Sequence, residues 1–141
     1  MKGANALYTP EFGKREAGVL IGHPQGGTLM PITAAKIGRR VQLIVPVGME
    51  KLVNRPIAEL AEIANSADGE GPRLAPIAGD VYTELDALMQ LTNVQWADVI
   101  AAGGAMGAEG GVYYNVQGSE EDIERVKALV NELKDEPPTQ L

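Results

Sequence analysis

Residues 18–37 read GVLIGHPQGGTLMPITAAKI, and the interpretation of this stretch sets the architecture assigned to the rest of the chain. Gly18-Val19-Leu20-Ile21-Gly22 is a short apolar run bounded by glycines, the pattern of a strand covered on both faces, as strands of parallel sheets are. His23-Pro24-Gln25-Gly26-Gly27-Thr28 is a loop by its proline and paired glycines. Pro31 fits the first turn of a helix, where its missing N–H costs nothing. Ile32, Ala35, Lys36 and Ile37 continue that helix until Gly38 closes it. The stretch is predicted as strand, loop and helix, the opening of a βαβ unit.

Working outward, the same alternation continues. Arg40 to Val47 is apolar and β-branched and predicts a second buried strand ending near Pro46, followed by the loop Gly48-Met49-Glu50-Lys51. Asn54 ahead of Pro56 signals a helix with Ile57, Leu60, Ala61 and Ala64 on one stripe. Ser66 to Pro72 is turn-rich and predicted to be exposed. Leu74-Ala75-Pro76-Ile77 is a third strand, and Asp80 or Thr83 caps a helix carrying Leu85, Leu88 and Met89. Asp98 to Ala102 and Gly111 to Val116 are the fourth and fifth strands. The bend between them, Gly103 to Gly110, is too short for a helical crossover, so those two are expected to be antiparallel neighbours. Ser119 and Asp122 have capping-box spacing, and Ile123, Val126, Leu129, Val130 and Leu133 form the apolar stripe of a last helix that Pro137-Pro138 stops.

The order βαβαβαββα predicts a three-layer α/β/α fold around a mainly parallel five-stranded sheet with one antiparallel edge strand. It would form one domain over 17–136, with an N-terminal arm at 1–16 and a tail at 137–141. In that sheet the strands at 18–22 and 98–102 lie side by side and point the same way. A second arrangement of the same elements is a βαβα half followed by a ferredoxin-like βαββα half.

Composition narrows the function classes. The 141 residues are 45% hydrophobic and 22% charged, values of a folded soluble domain and not of a disordered acidic tail, despite a net charge of −7. Cysteine is absent, which removes disulfides, thiolate nucleophiles and thiolate metal sites. A single histidine leaves no imidazole pair for a metal, and no metal or cofactor is assigned. No run approaches the roughly 18 apolar residues of a membrane span, and the first residues lack an apolar signal core, so a cytoplasmic location without a membrane partner is expected. With 12 basic against 19 acidic residues and few aromatics, nucleic acid is an unpromising partner.

In open parallel sheets, ligands sit beyond the carboxyl ends of the strands. That rule selects His23 to Thr28, Gly48 to Lys51, Gly79-Asp80 and Gly103 to Gly110. The ligand-binding candidates are His23, Gln25, Gly26, Gly27, Thr28, Lys51, Gly104 and Glu109. Glycines let backbone amides approach a phosphate or carboxylate, and the following helix start favours negative charge. Neither GxxxxGK[ST] nor GxGxxG is present. These features point to a non-catalytic module, expected as a homo-oligomer, that binds a small anionic metabolite in the crevice formed by the loops at 23–28, 48–51 and 103–110. A rival is a lyase or isomerase in which His23 works as general base with Asp80, Glu50 or Glu109, although a lone histidine at a strand end is more often a capping residue. A third reading is a structural subunit whose fifth strand pairs with another chain.

The run Gly18-Val19-Leu20-Ile21, the loop ending Gly27-Thr28, the short helix, Val41 to Val47, and Val99-Ile100-Ala101-Ala102-Gly103 before a glycine-rich bend and closing strand together resemble the C-terminal α/β domain of pyruvate kinase, over residues 17–116. The resemblance lies in element order. In that family the loop after the first strand holds a phosphate of a sugar-bisphosphate effector with hydroxyls and main-chain amides. Here it implies that role for Thr28 and the glycines before it, while His23, Pro24 and Gln25 stand where the family has hydroxyls. The family's catalytic residues lie in other domains, so the resemblance implies a regulatory or binding module.

Overall fold

The run at 18–22 is a strand, but its neighbours are not those of a parallel sheet. The computed structural model describes residues 1–134, 136 and 137. In chain order the elements are strand β1 (Ala6–Tyr8), β2 (Glu16–Ile21), helix α1 (Leu29–Arg39), β3 (Ile44–Pro46), α2 (Ile57–Ala64), β4 (Arg73–Ile77), β5 (Asp80–Tyr82), α3 (Glu84–Thr92), β6 (Trp96–Gly103), β7 (Gly111–Gln117) and α4 (Glu120–Leu133), with a 3-10 turn at Met49–Lys51. The chain divides into two units, Met1–Thr83 and the part that begins at Glu84.

In the first unit β2 is the centre of an antiparallel sheet ordered β1-β2-β4, with Gly18 opposite Ala6 on one side and Pro76 on the other. β3 and β5 form a separate parallel pair in which Ile44 faces Asp80 and Pro46 faces Tyr82. In the second unit β6 and β7 form an antiparallel hairpin, with a register shift between Val99 and Ala101, and α3 packs against both α4 and β6.

The expected mainly parallel five-stranded sheet in three layers is therefore corrected: among the described residues the strands form three small sheets, of which β3 with β5 is parallel and the other two are antiparallel. The strands at 18–22 and 98–102 belong to different sheets. The cause is visible in β2. Ala17, Val19 and Ile21 pack into a cluster with Leu7, Leu29, Leu43, Val45, Val47 and Ile77. On the opposite face a second cluster joins Ala6, Ile57, Ala61 and Leu74. A β-carbon at Gly18 would come within 2.9 Å of Ile57 Cγ2 and 3.1 Å of Leu74 Cδ1, so glycine is what admits them. A strand buried on both faces reads as a continuous apolar run whatever the direction of its neighbours.

Other differences are tertiary in origin. The expected arm at 1–16 contains β1, and Leu7 is fully buried in it. Three residues are too few for a period to show, and hydrogen bonds from Asn5 N to Gly18 O (2.8 Å) and from Val53 N to Leu7 O (2.8 Å) hold the segment. The strand expected from Arg40 shrinks to Ile44–Pro46, because α1 runs to Arg39 and Arg40 caps it in a left-handed conformation. Asp80, expected at a helix start, opens β5. The first amide of α2 is capped not by Asn54 but by Glu16 of β2, whose Oε2 accepts from Ile57 N at 2.9 Å. Ser66 to Pro72 is exposed, and Asn65 pins the chain beside it through bonds to both the N–H and the C=O of Leu74. The capping box of α4 is formed as expected, and the tail from residue 138 lies outside the described residues. Among the described residues no helix is long and apolar enough to cross a membrane.

Candidate functional site

The loop after β2 is built from its own backbone. Gly26 N donates to His23 O at 3.0 Å, closing a turn over Pro24 and Gln25, and Gln25 N donates to His23 Nδ1 at 3.2 Å. Gly26 and Gly27 then take φ of 79° and 55°, the left-handed region that favours glycine. A β-carbon at Gly26 would lie 2.5 Å from Met30 Cγ. Two glycines thus let the chain reverse tightly and deliver Thr28 to the amino end of α1.

That helix end is electrostatically bare. The opening amides of any helix lack intrahelical acceptors, and together with the macrodipole they make a positive pole. Thr28 occupies the N-cap position without a side-chain hydrogen bond to those amides, and the first turn contains no acidic residue. The pole opens on a hollow of about 160 Å³ lined by Lys2, Asn5, the end of β2, Gly26, Gly27 and Thr28. The Lys2 ammonium donates to Gly3 O at 2.9 Å. Asn5 Oδ1 accepts from Leu20 N at 3.0 Å, which ties the N-terminal segment to β2 and keeps Lys2 at this site. The charge of the chain is segregated as well. Residues 1–83 carry 9 basic and 8 acidic side chains, whereas residues 84–141 carry 3 and 11.

Of the residues nominated from sequence, the structure brings Gly26, Gly27 and Thr28 together around this hollow. His23 and Gln25 are exposed and not part of its lining, and the imidazole is spent on the turn, as a capping histidine would be. Lys51 sits in the 3-10 turn, 3.3 Å from Glu50 Oε1 in a half-exposed pair. Asp80 accepts from Gln42 Nε2 at 3.0 Å on β5. Gly104 and Glu109 belong to the hairpin bend of the second unit, where Glu109 Oε2 accepts from Gly107 N at 2.9 Å and so closes its own loop. The single crevice expected from loops 23–28, 48–51 and 103–110 rested on β2 and β6 sharing a sheet, and that basis is removed. Among the described residues, no group of three or more His, Cys, Asp or Glu is arranged to hold a metal ion.

Lys2 and Asn5 were not anticipated. Both lie in the segment expected to be an arm, and the only signal that could have found them is the fold-back of β1 onto β2, which three residues do not announce.

No protein-family model, curated protein or solved structure matches this chain, so the geometry alone carries the functional argument.

Proposed function

We propose that the first unit is a non-catalytic module that binds a small anionic metabolite, through a phosphate or carboxylate group held at the loop Gly22 to Thr28 and the amino end of α1. The observation that carries this is the uncapped positive pole of α1 opening into a hollow whose lining includes Lys2. Amides at a helix start, backed by the macrodipole, bind anions without help from a dedicated motif. Lys2 adds a mobile point charge, and the side-chain NH2 of Asn5, which has no partner among the described residues, adds a donor. The hollow is smaller than the roughly 300–1,000 Å³ of a pocket that engulfs a whole metabolite, so it holds the charged group and leaves the remainder outside. The nearly balanced charge of residues 1–83 removes the objection that an acidic chain repels anions.

The test is an amide NMR titration of the full chain with inorganic phosphate and with acetate. The expected result is saturable movement of the Gly26, Gly27, Thr28 and Leu29 amide signals, weakened about threefold to tenfold by Lys2→Gln, the scale of one charge-assisted hydrogen bond. Those four signals staying still under both anions would remove the proposal.

A further inference from the structure

A larger hollow lies at the carboxyl end of α1 and shares no lining residue with the first. It has a volume of about 480 Å³, and Lys14, Lys36, Arg40, Gln42 and Asp80 contribute to its walls. A depression of about 320 Å³ continues it past Lys14 and Asp80 to Arg15. Three cations thus face one carboxylate in the main hollow. Lys14, Lys36 and Arg40 have neither an ion pair nor a side-chain hydrogen bond among the described residues. The Asp80 carboxylate is engaged by Gln42, not by a cation.

Basic residues in the last turn of a helix complement its dipole, which accounts for Lys36 and Arg39. It does not account for Lys14, which arrives from the segment before β2, or for Arg40. Arg40 stands at φ 55° and ψ 38°, a conformation usually given to glycine or asparagine at a helix end. Clustered like charges repel one another unless an anion sits among them.

We propose that this basin binds a small phosphate ester bearing hydroxyl groups, a phosphorylated sugar or polyol. The phosphate is held by Lys14, Lys36 and Arg40, since ammonium and guanidinium groups are its strongest side-chain donors. The remaining oxygens of Asp80 and Gln42 are acceptors, which repel phosphate oxygens and accept from hydroxyls. A bare anion satisfies only half of such a lining. The volume is within the range of small-molecule sites.

Isothermal titration of the full chain with glucose 6-phosphate, inorganic phosphate and glucose tests this. Glucose 6-phosphate is expected to bind at least about fivefold more tightly than inorganic phosphate, and glucose alone not measurably. Lys36→Gln with Arg40→Gln should weaken the ester-binding event of this basin about tenfold or more, while Lys2→Gln, which weakens only the separate phosphate event at the amino end of α1, leaves it in place. Asp80→Asn should erase the preference for the ester over inorganic phosphate without weakening phosphate itself. Gln42→Ala, which leaves the β3–β5 backbone pairing untouched, reads the same preference if the Asp80 variant fails to fold. Equal affinity for ester and phosphate in the unaltered chain, or a double variant that binds normally, would overturn the assignment. So would an ester affinity lost with Lys2→Gln, which would place the binding at the other end of α1.

Discussion

Gly79→Ala and Gly38→Ala are the same chemical change at two sites, and the structure gives them opposite signs. Gly79 joins β4 to β5. A β-carbon there would sit 2.6 Å from Val45 Cγ2 and 2.7 Å from Leu43 O. Val45 is fully buried and cannot swing aside, and the Leu43 oxygen is backbone that already accepts from Asp80 N at 2.8 Å. Relief requires β5 to move away from β3. Overpacking of a tight interior costs about 2 kcal/mol and loss of the hydrogen bond about 1 kcal/mol. Stiffening of the unfolded chain by alanine returns about 0.7 kcal/mol. The net loss of roughly 2 kcal/mol corresponds to a fall in melting temperature of about 8–16 °C for a unit of this size. Gly38 lies inside the last turn of α1, where a β-carbon meets nothing within 4 Å. Alanine there gains about 0.5–1 kcal/mol of helix propensity and raises the melting temperature by a few degrees. Differential scanning calorimetry of both variants decides the matter. A Gly79→Ala protein that melts with the parent would mean that β3 and β5 are not packed as described, and a destabilised Gly38→Ala would mean that α1 has ended before residue 38.

Arg40→Gly tests whether the left-handed cap is held for its side chain: stability should rise by up to about 1 kcal/mol while affinity for glucose 6-phosphate falls, measured by calorimetric melting and titration on one sample. A loss of stability would refute the strain argument. In α4, the Asp122 carboxyl is held below its usual 3.8 chiefly by the Ser119 hydroxyl, with further help from the Ser119 amide and the Arg125 charge. A carboxylate whose acidity is raised by folding contributes stability above its unfolded value and loses it as the pH falls through its folded one. Circular dichroism should therefore show the capping contribution beginning to fall as the pH drops below the ordinary carboxylate value and lost completely only in stronger acid. Ser119→Ala should shift that loss to higher pH and remove about 1 kcal/mol of capping at neutral pH, and an unshifted acid transition would contradict it.

Local chemistry was legible where it was complete within a few residues. The Ser119–Asp122 box, the glycine turn at 23–27 and the hairpin bend after β6 each contain their own partners, whereas the stripe of α4 depends on α3 and leaves Val130 and Leu133 exposed. What failed was pairing. The segment Gly18 to Gly22 reads as a strand covered on both faces, which holds through Val19 but not at the half-exposed Leu20, and its direction relative to its neighbours is set by β1 and β4, elements of three and five residues. Assuming parallel crossovers then imposed one sheet on strands that occupy three. The strand-end rule points to all four loops, from His23–Thr28 to Gly103–Gly110; Gly26, Gly27 and Thr28, which turn chemistry marks as well, line a hollow, whereas Lys51 pairs with Glu50 and Glu109 closes its own bend. Lys14, Lys36 and Arg40 are separated by up to 26 positions, and no local pattern marks them as neighbours.

The two proposed anion sites stand at opposite ends of α1, and the helix itself explains why they are built differently. At the amino end the dipole is positive and free amides abound, so a backbone loop with a single lysine suffices. At the carboxyl end the dipole is negative, and exposed carbonyls repel a phosphate. An anion is held there only if side chains reverse the local field, which takes several cations brought from outside the helix as well as from it. Lys14 comes from the segment before β2 and Arg40 from a turn that departs from helical geometry, which is the arrangement such a reversal demands. The net charge of −7 conceals this, because it averages residues 1–83, which are close to neutral, with an acidic remainder. Anion binding depends on the field within a Debye length of about 8–10 Å, and over that range the arrangement of three side chains outweighs the sum over 141 residues.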